Sequence, residues 1–371
     1  MKRILHIIPT FDRGGAEKQM CMLAAGLPKN EFDVHVCALT RGGPLAEKLD
    51  EAEIPYHVIG KRLKADPIAW WQLRSHIKSL RPDLVHTWIY AADVYGRTAA
   101  ITCGVKTLVT GLRCVDPWKS GSQLAIDRRL ARRTARLVAN SQGVKDFYVE
   151  KGLPAEKIDV IQNAIDPLPP TDLTRDALLD EVGITEENGK RPRLVGLVGR
   201  LWPQKRVKDA IWSTDLLKVA RGDVHLLIMG DGPQRDQLMK YRDQVEIRDR
   251  VHFLGERADV GRIVPLLDML WSSSGYEGQS NAIMEAMSTG VPVVASDIPG
   301  TRDLITHGKT GLLFPVGDRA ALAKEANGLL KNPDLARQIG EAGRTLMVTE
   351  FAVPTMLDRY ATLYRQLFSR C

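Results

Sequence analysis

The chain has 371 residues, 44% hydrophobic and 26% charged, which suits two ordinary domains with cores of their own and excludes a disordered chain. No apolar run reaches the ~18 residues of a bilayer-spanning helix, and the opening Met1–Pro9 is too short for a signal peptide and reads as a buried strand. A net charge of +7 leaves nucleotide phosphates, acidic lipid headgroups and nucleic acid open as partners, beside plain solubility.

In chain order, strand-like runs fall at Arg3–Ile8, Val34–Leu39, Tyr56–Ile59, Leu84–His86, Thr107–Thr110, Leu137–Ala139 and Ile158–Ile161. Helix-like stretches at Gly15–Leu27, Pro67–Leu80 and Ser141–Lys151 lie between them, a rhythm that predicts a parallel sheet covered on both faces. The first loop, Asp12-Arg13-Gly14-Gly15-Ala16-Glu17, opens a helix whose N-terminus can approach a phosphate, but it lacks the G-x-G-x-x-G dinucleotide fingerprint. His86 ends a later strand, where a lone histidine is more often structural than catalytic.

Arg128, Arg129, Arg132, Arg133 and Arg136 fall in a predicted helix, on an arc of about 140° at ~100° per residue. That face is either solvated surface or a contact with anionic membrane. The cysteines, Cys21, Cys37, Cys103, Cys114 and Cys371, form no C-x-x-C and no zinc spacing. They read as reduced thiols, which implies a cytoplasmic protein.

The rhythm breaks at Ala164–Lys190, which carries Pro167, Pro169 and Pro170 and ends in Glu186-Glu187-Asn188-Gly189-Lys190. This divides the chain into a domain over 1–167, a linker over 168–190, a second domain over 191–349, and a C-terminal helix over 350–371 that is expected to pack back on the first domain. Strand-like runs resume at Leu194–Val198, Val224–Met229, Val251–Phe253, Met269–Ser272, Val291–Ala295 and Gly311–Phe314, giving two doubly wound α/β domains.

Four turns of the second half each follow a predicted strand and should rim one sheet edge, where such sheets bind ligands. In Gly199-Arg200-Leu201-Trp202-Pro203-Gln204-Lys205 the glycine permits close backbone approach, and the two cations can neutralise a diphosphate. Gly230-Asp231-Gly232-Pro233 makes a sharp turn, and Phe253-Leu254-Gly255-Glu256-Arg257 plays a similar part, with backbone near Glu256 and Arg257 expected to meet a nucleotide base.

The fourth turn, Tyr276-Glu277-Gly278-Gln279-Ser280-Asn281-Ala282-Ile283-Met284-Glu285, has a loop carboxylate suited to sugar hydroxyls. It also offers a capped helix start (Ser280 or Asn281) suited to phosphate and a deeper carboxylate suited to a ribose. Each turn alone also fits a plain surface loop.

Together these turns, with Gly290–Ser296 and Gly311-Leu312-Leu313, resemble the donor domain of the retaining glycosyltransferases of family four, with the GT-B fold. The resemblance implies two Rossmann-like domains, the first binding the acceptor and the second the nucleotide-sugar donor, and a metal-independent hexosyltransferase needing no cofactor. It moves a sugar from a UDP- or GDP-linked donor to a glycan or polyprenyl-linked acceptor, in polysaccharide or glycolipid synthesis, with a possible peripheral hold on the inner membrane face.

It assigns Arg200 and Lys205 to the diphosphate, Glu277 to the donor sugar, Glu285 to the ribose, and His86 to catalysis. Donor contacts carry over to Gly15, Gly199, Gly232, Gly278, Ser280 and Asn281. The chain departs from the family at Arg113, near a second expected histidine, and at Ala164, where glycine is usual. A sugar-nucleotide epimerase of the same fold is the enzyme alternative. Nucleic-acid binding rests on charge alone and lacks a recognition motif.

Overall fold

The structure, a computed structural model, describes residues 1–166, 168, 170–186 and 189–369. Pro167, Pro169, Glu187, Asn188 and Cys371, singled out above, lie outside the described residues. The chain forms two units, Met1–Ala164 with Val353–Cys371, and Ile165–Ala352.

The first unit contains β1 (Lys2–Thr10), α1 (Gly15–Gly26), β2 (Phe32–Arg41), α2 (Ala46–Glu51), β3 (Tyr56–Val58), α3 (Pro67–Leu80), β4 (Leu84–Trp88), α4 (Tyr90–Thr102), β5 (Thr107–Leu112), α5 (Gly121–Ala131), β6 (Arg136–Ala139), α6 (Gln142–Glu150) and β7 (Ile158–Val160). The second contains α7 (Arg175–Val182), β8 (Arg193–Val198), α8 (Val207–Ala220), β9 (Val224–Met229), α9 (Arg235–Gln244), β10 (Val251–Gly255), α10 (Val260–Ile263), β11 (Met269–Ser272), α11 (Asn281–Ser288), β12 (Val293–Ser296), α12 (Pro299–Arg302), β13 (Leu312–Phe314), α13 (Arg319–Lys331) and α14 (Pro333–Glu350). The last helix, α15 (Val353–Ser369), returns to the first unit.

The seven strands of the first sheet run in the order β3-β2-β1-β4-β5-β6-β7, and the six of the second in the order β10-β9-β8-β11-β12-β13. Every pairing is parallel, so each strand needs a crossover helix, which is why the apolar runs alternate with amphipathic ones. The order reverses between β1 and β4 and again between β8 and β11. At such a reversal consecutive crossovers go to opposite faces and leave a crevice at the carboxyl edge. Strands β4 and β9 are buried throughout, as central parallel strands must be.

Residues 168–190 are not a bare linker. Thr174 caps α7 by accepting from Ala177 N at 3.2 Å, and Leu178 is buried in the second unit's core. Arg175 pairs with Asp268 at 2.5 Å, and Asp268 also pairs with Arg193 at 3.0 Å, which ties α7 to the ends of β8 and β11. The helix was hidden in the sequence because one apolar face is set among charged residues.

The arginine run also departs from expectation. Helix α5 ends at Ala131, Arg132 is its C-cap, and Arg136 opens β6. Lys157 Nζ donates to the carbonyls of Ala131, Arg132 and Thr134 at 3.1, 3.1 and 3.0 Å. A cation gathering the last carbonyls stops the helix where intrinsic propensity would let it continue.

Helix α15 buries Tyr360 and Tyr364 in the first core. Tyr364 Oη bonds His86 Nδ1 at 2.7 Å, and His6 Nδ1 accepts from Trp88 Nε1 at 3.0 Å. Arg113 lies over the Trp88 ring at 5.0 Å and donates to Asn163 and to Tyr360 Oη. Ala164, at the second departure from the family, donates its N–H to Gln19 Oε1 at 2.9 Å and accepts from Gln19 Nε2 at its C=O at 2.7 Å.

Burial pulls the His6 pKa down to about 3 and holds that of His86 well below the usual 6.5. A histidine whose folded pKa is lowered binds fewer protons folded than unfolded, so its stability contribution is present above pH 6.5 and lost below it. Acidifying from pH 7 to pH 5 is therefore expected to destabilise the first unit by about 2 kcal/mol per buried histidine. His6→Gln should remove part of that pH slope, the rest belonging to His86 and to half-buried His76, whose pKa burial pulls down to about 4, read from denaturant midpoints at the two pH values.

Candidate active site in the second unit

The reversal between β8 and β11 is flanked by the loops that follow those two strands, 199–206 and 273–280. Glycine backbones build the edge around it. Gly199 has φ 152° and Gly230 φ 147°, both outside the range of ordinary side chains. A Cβ on Gly230 would lie 2.0 Å from Gly199 O, and one on Gly232 would meet Leu201 backbone at 2.7 Å. Backbone bonds stitch the turns together: Gly199 N to Met229 O at 3.0 Å, Leu201 N to Asp231 O at 2.9 Å, and Gly230 N to Gly255 O at 2.7 Å.

The two loops meet through side chains. Lys205 Nζ pairs directly with Glu277 Oε1. Ser274 Oγ donates to the same oxygen at 2.8 Å, and Gln204 Nε2 donates to Glu277 Oε2 at 3.3 Å and to Tyr276 O at 2.8 Å. Gly275 N bonds Gln204 O at 2.8 Å, and Ser273 Oγ donates to Lys205 O at 2.8 Å. Lys205 and Glu277 are only partly buried, so the pair keeps an open side.

Arg200 is exposed, its guanidinium 6.0 Å from the Trp202 ring centroid. Ser280 takes the N-cap position of α11, but its side chain makes no cap bond, contrary to the expected capping role. Asn281 opens α11, and Glu285 is buried one turn inside it. Gly278 is buried and in close contact with Gly300, whose Cβ would sit 1.8 Å from Gly278 O.

The structure thus brings together Gly199, Lys205, Glu277 and Gly278, with Gly232, Ser280, Asn281 and Glu285 on the elements that frame them. Gly15 lies in the first unit, as the first residue of α1. His86, also in the first unit, is 0% exposed beneath Tyr364 and Trp88, the surroundings of a core histidine rather than of a base that meets substrate. Arg257 pairs with Glu181 and, at 2.7 Å, with Asp259. Gln204, Ser273, Ser274 and Gly300 were not legible as site residues, although a serine run after a strand and a Pro-Gly after the next were the available signals. Among the described residues no group of His, Cys, Asp or Glu is arranged to hold a metal ion.

Two family sequence models match this chain: glycosyltransferase family 4 over residues 13–167 and glycosyl transferases group 1 over 184–346. The chain is a family-four glycosyltransferase. It is 30% identical to the N-acetyl-alpha-D-glucosaminyl L-malate synthase of Bacillus anthracis over 57% of this chain and 54% of that protein. It is 27% identical to the UDP-Gal:alpha-D-GlcNAc-diphosphoundecaprenol alpha-1,3-galactosyltransferase of Escherichia coli, over 91% of this chain and 90% of that one.

Among solved structures, HepE of Anabaena in complex with UDP-glucose superposes with a TM-score of 0.88 at 24% identity, covering 99% of this chain and 100% of that one. That likeness establishes the GT-B fold for the glycosyltransferase.

The glycine contacts give a direct test. Gly300→Ala forces a methyl against the Gly278 carbonyl, and overpacking of this kind costs about 1–3 kcal/mol. The variant glycosyltransferase should unfold at lower denaturant in its second unit. An unchanged midpoint would show that the Glu277–Gly278 loop yields freely.

Proposed function

We propose that this glycosyltransferase is a retaining, metal-independent hexosyltransferase that takes a UDP- or GDP-linked sugar and passes it to a glycan or polyprenyl-linked acceptor. The observation that supports this most is the contact of Lys205 with Glu277 at the strand reversal of the second sheet. A cation and a carboxylate side by side suit a sugar diphosphate, whose charge needs the cation and whose hydroxyls need the acceptor oxygens. The relatives named above, one of which uses UDP-Gal and a diphosphoundecaprenol acceptor, support the same class. Retention and metal independence rest on the family resemblance.

In this reading Lys205 and Arg200 face the diphosphate as the sugar leaves. Their charge stabilises the departing oxyanion, an electrostatic effect preorganised by the glycine-built edge. Glu277 holds the sugar, Glu285 the ribose, and the backbone N–H groups at the start of α11 a phosphate. Polysaccharide or glycolipid synthesis is the corresponding biological setting.

Lys205→Ala and Arg200→Ala should each lower turnover at least tenfold, about 1.4 kcal/mol, and weaken nucleotide diphosphate binding in calorimetry. Glu285→Gln should weaken the nucleotide diphosphate as well. Glu277→Gln should impair transfer yet bind free nucleotide at least as tightly, because Lys205 loses its neutralising partner. Unchanged nucleotide affinity in both cation variants would remove them from the site. Turnover of a nucleotide sugar without acceptor would favour the epimerase.

A peripheral hold on anionic membrane belongs to the same proposal, at the cytoplasmic face. Arg128, Arg129, Arg132 and Arg133 are exposed around a shallow depression at Ala125, whereas Arg136 pairs with Asp159 at 3.2 Å. Helices α3, α4 and α5 pack in series on one face of the first sheet. In α3 and the loop before it Leu63, Ile68 and Trp71 are 64%, 69% and 60% exposed, with Lys61, Arg62, Lys64 and Arg74 around them in sequence. Exposed apolar residues flanked by cations suit an anionic bilayer surface. Among the described residues no helix is long and apolar enough to cross a membrane.

Vesicles with anionic lipid should bind this protein at low salt and release it at high salt, and neutral vesicles should not bind it. Replacing Arg129, Arg132 and Arg133 with Ser should abolish the binding without changing nucleotide affinity. A wild type that ignores anionic vesicles at low salt would leave a soluble acceptor as the better reading.

A further inference from the structure

The loop after β5 carries an aromatic side chain that the donor-site residues do not explain. Trp118 is 54% exposed, although Lys119 beside it is buried. Its ring meets Tyr90 edge to face, with centroids 5.8 Å apart and planes at 85°. Tyr90 opens α4 directly after β4, one of the two strands flanking the order reversal of the first sheet. Ile89, just before it, holds φ 66° and ψ 146°, a conformation that a β-branched residue keeps only where its surroundings impose it.

A buried ion network fixes this corner from below. Lys119 Nζ bonds Asp127 at 2.9 Å, Asp116 at 3.1 Å and Tyr148 Oη at 3.0 Å. The same ammonium lies 4.6 Å from the Tyr90 ring centroid and 4.9 Å from that of Tyr148. Arg97 holds the other oxygen of Asp127 at 3.0 Å. Burying two cations and their carboxylates is weak evidence for stability, since apolar side chains of similar size often do as well. What the network does supply is position: with Lys119 pinned by three partners, the backbone of its neighbour is set and the indole is presented in one place.

The chemistry of the corner narrows its ligand. The exposed positions that flank Trp118 in sequence are Pro117, Ser120, Gly121 and Ser122, none of which carries a charge. A flat electron-rich ring with a neutral polar rim complements a pyranose, which presents polarised C–H groups on one face and hydroxyls at its edge.

We propose that Trp118, braced by Tyr90, is the stacking platform for a pyranose ring of the acceptor. The proposal rests on the reading of the chain as a glycosyltransferase whose first unit takes the acceptor. It adds that the acceptor is recognised through a sugar ring as well as through any lipid or phosphate.

The test uses the full chain and three probes below their micelle concentrations: octyl β-glucoside, octyl β-galactoside and octyl N-acetyl-β-glucosaminide. Saturation-transfer NMR should show contact at the ring C–H protons of at least one probe. Its affinity should fall at least tenfold in Trp118→Ala and be largely kept in Trp118→Phe. No binding of any probe to wild type, equal binding by Trp118→Ala, or a Trp118→Phe as weak as Trp118→Ala would each overturn the platform. Calorimetry with UDP and GDP on the same proteins separates the two readings. Failure of both nucleotides to bind wild type counts against the donor site, whereas unchanged nucleotide affinity in Trp118→Ala shows that a lost probe signal is local to the corner.

Discussion

A parallel sheet cannot cover its own carboxyl edge at the place where its strand order reverses. In the second unit that place lies between β8 and β11, and everything the site contains follows from it. The two strands deliver the loops that carry Lys205 and Glu277, and they deliver them side by side although 72 residues separate the two in sequence. Around them the edge is lined with backbone, because Gly230, Gly232 and Gly300 let loops approach closer than any Cβ allows and Gly199 takes a φ of 152°. Flexible side chains would have made a softer rim, whereas bonded backbone holds its N–H groups in place before a ligand arrives.

The first unit uses the same sheet geometry for different ends. A buried aromatic and histidine cluster lies in the core between β1, β4 and α15, and an ion network lies under Trp118 in the loop after β5. Both are polar arrangements buried at some expense in desolvation, and both fix side chains that the strands alone would leave loose. The cluster holds His86 inside the core by a bond to Tyr364. The network holds Trp118 outside it.

The fold was legible because hydrophobic periodicity is a local property. Runs such as Val224–Met229 and Met269–Ser272 coincide with strands β9 and β11, and Pro67–Leu80 coincides with α3. Helix α7 is not legible because Leu178 alone carries much of its buried face. The arginine helix ends earlier than its periodicity predicts because Lys157, which collects the carbonyls that end it, lies 26 residues beyond Ala131. Both departures come from partners distant in sequence.

Two α/β units, the turns that rim the second sheet, and the family can be read from the linear order of residues. These follow from spacing, from glycines that only a close backbone approach requires, and from charges adjacent along the chain. Tertiary structure alone decided that Lys205 touches Glu277, that Ser273 and Ser274 brace them, that His86 is sealed beneath Tyr364, and that Trp118 stays open while Lys119 is buried. Each of those depends on which strands lie next to one another, and strand order is set by how crossover helices divide between the two faces of a sheet. Side chains far apart in the chain become neighbours only through that division, so no local pattern encodes them.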